Sequence, residues 1–278
     1  MSGTLYVVGT PIGNLGDISP RALDTLENCD FIAAEDTRVT LKLLNHFGIK
    51  KPMISYFEHN KFERGPFIAE KLLSGENGVI VTDAGMPAIS DPGEDLVRLC
   101  IEKGIRVEAV PGPCAFATAL AVSGMPSRRF TFEGFLPTEK SERKYIINSL
   151  INEERTMIFY EAPHKLSDTL SDLAAALGNR EIAIVRELTK IHEQVIKTTL
   201  CAAAEKYSSE QLKGEIVLII SGAPRKEAEE MTFEQTVAYA KELVEKGETK
   251  TSAAKIAAKE GGFKKGDIYK ILTEEDNR

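Results

Sequence analysis

The twelve residues 82–93, TDAGMPAISDPG, concentrate glycine, proline, aspartate and small side chains. They follow the apolar run 79–81, which reads as a buried parallel strand, and precede an amphipathic helix over residues 94–103. A stretch so rich in turn formers cannot be a regular element. An irregular loop at the carboxyl end of a strand in an α/β protein is where small ligands are held. The same character recurs along the chain. Gly9-Thr10-Pro11-Ile12-Gly13-Asn14-Leu15-Gly16 follows the first strand, Pro111-Gly112-Pro113 follows Val110, and Gly134-Phe135-Leu136-Pro137 follows a strand over 130–133. Glu161-Ala162-Pro163-His164 follows a strand over 156–160, and Gly214-Glu215 stands at the last one. Small residues and prolines leave backbone N–H and C=O groups close to whatever occupies a cleft. Such loops suit a ligand read by backbone contacts and shape, with few charged side chains.

Other chemistries fit less well. Glu35 and Asp36 lie roughly twenty residues beyond the first glycine-rich turn, where a dinucleotide fold keeps its ribose ligand. The turn itself lacks the G-x-G-x-x-G spacing, and no P-loop lysine follows. Cys29, Cys100, Cys114 and Cys201 are isolated, without a CxxC pair, and read as reduced, packed thiols. His46, His59, His164 and His192 show no metal-ligand spacing, so no structural metal is expected. No stretch approaches the roughly 18–20 apolar residues that span a bilayer. The amino terminus reads as strand and turn rather than signal peptide, and a cytoplasmic protein is expected. The net charge of −7 argues against wholesale coating by nucleic acid but leaves room for a local basic patch.

Positioning these loops requires a scaffold. Strands over 4–8, 31–34, 53–55, 79–81 and 107–110 alternate with helices over 20–28, 40–47, 63–74 and 94–103. Ser19 reads as an N-cap with Pro20 at the first helical position. Alternation of this kind predicts a parallel sheet with helices on both faces. After a small-residue helix over 114–123, strands are expected at 130–133, 156–160, 182–186, 194–199 and 215–220, with helices over 140–151, 164–177 and 200–207. The adjacent strands 182–186 and 194–199 predict a hairpin and a mixed sheet. Beyond Gly222 no strand pattern remains. Helices over 232–246, 251–260 and 267–273, the middle one capped by Thr251, read as a small helix-turn-helix unit. Its many lysines fit nucleic-acid contact or a solvated face equally well.

Eight segments, LYVVGTPIGNLGDISPRAL, AEDTR, TDAGMPAISDPG, VPGPCAFATAL, FEGFLP, FYEAPHKL, RELTKIHE and GEIVLII, occur in the order and spacing of the tetrapyrrole methylase family. They resemble most closely its ribosomal-RNA branch. The match spans about residues 4–222, and the lysine-rich tail resembles that branch's helical domain. The resemblance implies an α/β fold in three parts: residues 1–115, residues 116–223 and a helical 224–278. S-adenosylmethionine would fold into the cleft between the first two, usually in a homodimer. The branch implies 2′-O-ribose methylation of a decoding-centre cytidine in 16S rRNA, on the small ribosomal subunit. Carried over by motif, the cofactor contacts are Pro11, Ala84, Gly85, Met86, Ala88, Ile89, Pro111, Gly112, Leu136, Tyr160, Leu188, Gly214 and Glu215.

A ribose hydroxyl is a poor nucleophile while protonated, which leaves room for a general base. Glu35 and Asp36 in AEDTR, His59 in YFEHN and Glu161 in FYEAPH are candidates, with Arg38, Arg186 and Lys190 to hold phosphates or orient the base. Glu35, Asp36 and Arg38 fit a structural ion-pair cluster equally well, and Arg186-Glu187 could pair across the hairpin. RNA would approach over Arg128, Arg129, Lys140, Arg143, Lys144 and Lys165, with Lys255 and Lys264 among the tail lysines. Two rivals remain on the sequence alone. One is a precorrin-type methyltransferase on the same fold; the other is a nucleotide-sensing regulator without turnover.

Overall fold

Runs such as FIAA and GVIV have no polar side chain to offer solvent, so strands made of them must be covered on both faces. The computed structural model of the chain describes residues 2–224 and 231–274. The chain forms two compact units, the first ending at Ala223 and the second starting at Pro224.

The first unit opens with β1 (Thr4–Val8), α1 (Pro20–Asn28), β2 (Phe31–Ala34), α2 (Thr37–His46), β3 (Met53–Ser55), α3 (Lys61–Leu73), β4 (Gly78–Val81), α4 (Glu94–Glu102) and β5 (Arg106–Val110). The five strands form a parallel sheet in the order β3-β2-β4-β1-β5. Both faces are covered, as the alternation predicts. Leu26, Ile32, Leu44 and Val79 pack on the side of α1 and α2, while Phe31, Ile68, Leu72, Ile80 and Leu96 pack on the side of α3 and α4. The connections after the neighbouring strands β1 and β4 leave toward opposite edges of the sheet. Their carboxyl ends therefore frame a crevice.

The second sheet follows α5 (Ala115–Ser123). It is built from β6 (Phe130–Phe135), α6 (Lys140–Ser149), β7 (Thr156–Glu161), α7 (Leu166–Leu177), β8 (Glu181–Arg186), β9 (Gln194–Thr199), α8 (Leu200–Tyr207) and β10 (Ile216–Ile220). The order β6-β7-β10-β8-β9 is parallel only between β6 and β7, and β8 and β9 form the expected hairpin. One face carries α6, α7 and α8 on Phe159, Leu170, Ile184 and Leu218. The other face carries α5, where Ala119 and Leu120 meet Ile158, Val185 and Ile219. Ile12 and Ala84, from the loops after β1 and β4, belong to this same cluster. Both loops thereby pack onto the second sheet.

Local chemistry explains several helix starts. Ser19 caps α1 as expected, its side chain accepting from Ala22 N. The helix expected at residue 40 begins three residues earlier, because the Asp36 side chain accepts from Arg38 N and starts α2. In the second unit, α9 (Phe233–Glu245), α10 (Lys250–Gly261) and α11 (Lys265–Glu274) pack around Ala240, Ala253, Ala254, Ala257, Ile268 and Leu272. The cap of α10 is Thr249, not Thr251: the Thr249 side chain accepts from Ser252 N. A capping box of Thr232 and Gln235 starts α9.

Candidate functional site

Three loops at the carboxyl ends of the parallel strands are laced together. Thr10 and Gly85 exchange both backbone hydrogen bonds, at 2.9 and 3.1 Å, joining the β1 and β4 loops. The Thr10 hydroxyl also donates to Thr82 O at 3.2 Å. The β2 and β4 loops meet where Thr82 Oγ1 donates to Glu35 Oε2 at 2.6 Å and Asp36 N donates to Asp83 Oδ1 at 3.1 Å. Glycine is required at the base of this lattice. A Cβ on Gly9 would lie 2.7 Å from Gly112 Cα, backbone against backbone. Ala88 and Ser90 hold φ of 66° and 63°, left-handed values that strain any residue with a Cβ.

These loops face the β7 and β10 ends of the second sheet across a cleft of about 400 Å³. Its apolar wall includes Ile12, Met86, Ile89, Phe135, Tyr160, Leu188 and Val217. Tyr160 is fixed by accepting from Phe116 N at 3.1 Å and by T-shaped packing against Phe132. The polar wall overturns the expectation of few charged side chains. Glu35, Asp83, Asp91, Glu161 and Glu215 all line the cleft, and among the described residues no lysine or arginine does. Burial pushes the Asp91 carboxyl up to about 6, and the negative charges of Glu35 and Asp83 add to the shift. The nearby Thr82 side chain works the other way. Burial raises Asp83 in the same direction. A cleft with several carboxylates in its lining, Glu215 being the one that Lys190 bridges, suits a positively charged ligand.

The sequence-derived cofactor contacts divide. Ala84, Gly85, Met86, Ile89, Tyr160, Leu188 and Glu215 line the cleft, and Ala88 lines a hollow beside it. Pro11, Pro111 and Gly112 do not line it; the Gly112 backbone lies against Gly9 beneath the floor. Leu136 is a core residue, packed with Ile147 and Phe159. Gly214 lies against the Glu187 side chain, its φ of 92° shaping the approach to β10. Sequence reasoning passed over Thr82, Asp83, Ser90 and Asp91, although they bound the loop it ranked first. The two aspartates were the available signal, read there only as turn formers.

Among the acid–base candidates, Glu35 lines both cavities and His59 only the outer hollow. Asp36 lies apart from both cavities, capping α2 and gripping Arg38 at 2.6 Å. These contacts hold its carboxyl down to about 2, led by the Arg38 side chain. Glu161 is buried, accepting from the Thr169 hydroxyl and from Ala162 N. Thr169 also accepts from Arg143 Nη2 at 2.8 Å, and Arg143 Nε donates to Asp172 at 2.7 Å. Arg143 is thus drawn into the fold rather than onto a rim.

Arg128, Arg129, Lys140 and Lys144 are exposed, and Lys165 is half-buried at the start of α7. Lys190 bridges Glu187 at 3.0 Å and Glu215 at 3.1 Å, so Glu187 pairs with Lys190 and not with Arg186. Arg186 Nε is buried without a hydrogen-bond partner. Lys255 and Lys264 are exposed in the second unit.

The family model described as tetrapyrrole (corrin/porphyrin) methylases matches residues 4–204. A ribosomal RNA small subunit methyltransferase I of Synechocystis is 45% identical over 273 residues, covering 98% of each chain. One of Bacillus subtilis is 44% identical over 271 residues, covering 96% of this chain and 93% of the relative. Among solved structures, the methyltransferase CobJ superposes with a TM-score of 0.62 at 17% identity, covering 80% of this chain and 95% of that one. Uroporphyrin-III C-methyltransferase from Thermus thermophilus, complexed with S-adenosyl homocysteine, gives 0.55 at 16% identity, covering 79% and 97%. Likeness at such low identity speaks for the fold alone.

Proposed function

The chain belongs to the tetrapyrrole methylase family, in its ribosomal RNA small subunit methyltransferase I branch, and from that premise we propose that it methylates small-subunit rRNA from S-adenosylmethionine. The finer reading is 2′-O-methylation of a decoding-centre cytidine in 16S rRNA, by a cytoplasmic homodimer acting on the small subunit. The observation that carries it is the carboxylate-lined cleft at the ends of β1, β2 and β4.

The residues present fit this cofactor. Asp91 and Asp83 offer charge to its cationic groups, and the slot from Ile12 to Val217 offers an apolar surface to the adenosyl part. When bound, S-adenosylmethionine supplies an electrophilic methyl group on a sulfonium. The chain's own work is then positioning and proton handling. Glu35 stands on the wall common to the cleft and the outer hollow, with Thr82 orienting one carboxylate oxygen. It is the base we assign to the ribose hydroxyl, because it lines both cavities, whereas Asp36 lines neither and Glu161 is buried with both oxygens bonded within the fold. The precorrin-type rival is disfavoured by charge: a polycarboxylate macrocycle would have to sit among the carboxylates that line both cavities.

The test is transfer of labelled methyl to assembled small subunits, with naked rRNA as comparison and nuclease mapping of the label. Label at a ribose 2′-oxygen supports the reading. Cofactor binding without label on either RNA rejects it.

A further inference from the structure

Beside the cleft lies a second hollow of about 530 Å³, and the two share one wall made by Glu35, Ser90 and Asp91. The volume lies within the ~300–1,000 Å³ of small-molecule sites. Its far side is the tripeptide Phe57-Glu58-His59. That turn is held firmly. Asn60 Oδ1 accepts from Phe57 N at 2.8 Å, and Asn60 Nδ2 donates to Ser55 O at 3.1 Å. Lys61 grips Glu58 at 2.6 Å and Asp95 at 2.7 Å, which ties the turn to α4. Tyr56, fully buried, anchors its start. Phe57 nonetheless keeps 37% of its surface exposed, with the His59 ring edge-on at 6.2 Å. Among the described residues no lysine or arginine lines the hollow, while Glu58 and Glu94 join the two carboxylates of the shared wall. Such a lining repels a phosphodiester and welcomes a flat heterocycle carrying amino donors.

We propose that this hollow takes the base of the acceptor nucleotide, stacked on Phe57 beside the edge-on His59 ring with its exocyclic amino group donating to Glu58, so that its ribose stands at the shared wall. The inference deepens the ribose-methylation reading and rests on it. An acceptor must meet its methyl donor where the two cavities join, and Glu35 is already there. Single-stranded RNA is read by stacking unstacked bases on aromatic rings and bonding their edges. A carboxylate accepts from the N4 amino group of cytosine. Uracil presents a carbonyl oxygen at that position, and two acceptors repel. Glu58 is therefore the specificity-determining residue, and the phosphates remain outside the hollow.

The test uses small subunits reconstituted from transcribed rRNA with cytidine or uridine at the acceptor position. Binding is measured without cofactor, and methyl transfer with labelled S-adenosylmethionine. The intact protein favours cytidine about tenfold or more in both measurements. Glu58→Gln brings that ratio close to one, because its amide can turn either a donor or an acceptor to the base. Phe57→Ala weakens binding of both substrates about tenfold. Both variants keep the wild-type affinity for S-adenosylmethionine by calorimetry, which also establishes that they are folded; Glu58→Ala serves should the glutamine variant lose it. An intact protein indifferent to the base, a Glu58 variant that keeps the preference, or a Phe57→Ala protein with unchanged RNA binding overturns the assignment. Cofactor binding with no label on either RNA instead overturns the ribose-methylation reading, and this inference falls with it.

Discussion

Replacing Asp91 with asparagine should stabilise the empty fold and weaken cofactor binding at once, since both effects come from one half-buried charge. Burial, helped by Glu35 and Asp83, lifts its carboxyl from an ordinary 3.8 to about 6. At about 1.36 kcal/mol per unit, that shift corresponds to about 3 kcal/mol withheld from folding when the group is ionised. Water reaching a half-buried carboxyl screens this to about 1–2 kcal/mol. The folded chain holds the proton more tightly than the unfolded one. The stabilising contribution is therefore complete below about pH 4 and is lost as pH rises through about 6.

Asp91→Asn has the same shape and cannot ionise. Without cofactor it gains about 1–2 kcal/mol at pH 7 and about nothing at pH 4. Binding runs the other way. A hydrogen bond to a charged group contributes about 1.5–3 kcal/mol, so the Kd for S-adenosylmethionine rises roughly 10- to 150-fold at pH 7. Wild-type affinity falls as pH drops below about 6 and levels off near that of the variant, which loses this dependence. Thermal melts with and without the cofactor from pH 4 to 8, together with calorimetric titrations, read both effects. A variant less stable than wild type at pH 7 that still binds the cofactor equally well would refute the reasoning.

Four further outcomes follow from the same geometry. Glu35→Gln lowers turnover by about 10²–10⁴ while cofactor affinity changes by a few-fold at most, and equal turnover removes Glu35 as the base. Gly112→Ala places a Cβ 2.7 Å from Gly9 O and destabilises the fold by about 1–3 kcal/mol in denaturant titrations, so unchanged stability contradicts the close approach. Arg143→Ala costs about 1–3 kcal/mol of stability through the Thr169 and Asp172 contacts and leaves RNA affinity nearly intact. The reverse pattern would return Arg143 to the RNA-binding surface. RNA affinity falls by two or more decades between about 50 and 200 mM salt if six or more phosphates are contacted, and a flat dependence rejects the basic rim.

Much of the scaffold is legible in local chemistry. Residue patterning places β1, β2, β3, β9 and α8 at their observed boundaries, and Ser19-Pro20 starts α1, because caps and turns depend on neighbours in the chain. Even the ligand loop of residues 82–93 can be picked out, since its composition forbids a regular element. The charge of the site is not legible in this way. Glu35 and Thr82 lie 47 positions apart and meet only because β2 pairs with β4, an order the alternation of elements does not encode. Tyr160 and Glu215 reach the cleft only because β7 and β10 pair antiparallel, with their ends turned toward the loops of the other sheet. Arg143 reads as a rim cation until the packing of α6 on α7 gives it Thr169 and Asp172. Spacing and residue type fix the local bonds of turns and caps. Which distant carboxylates share one desolvated cleft is set by strand order and sheet packing, where burial of apolar side chains decides the geometry and the charges must follow.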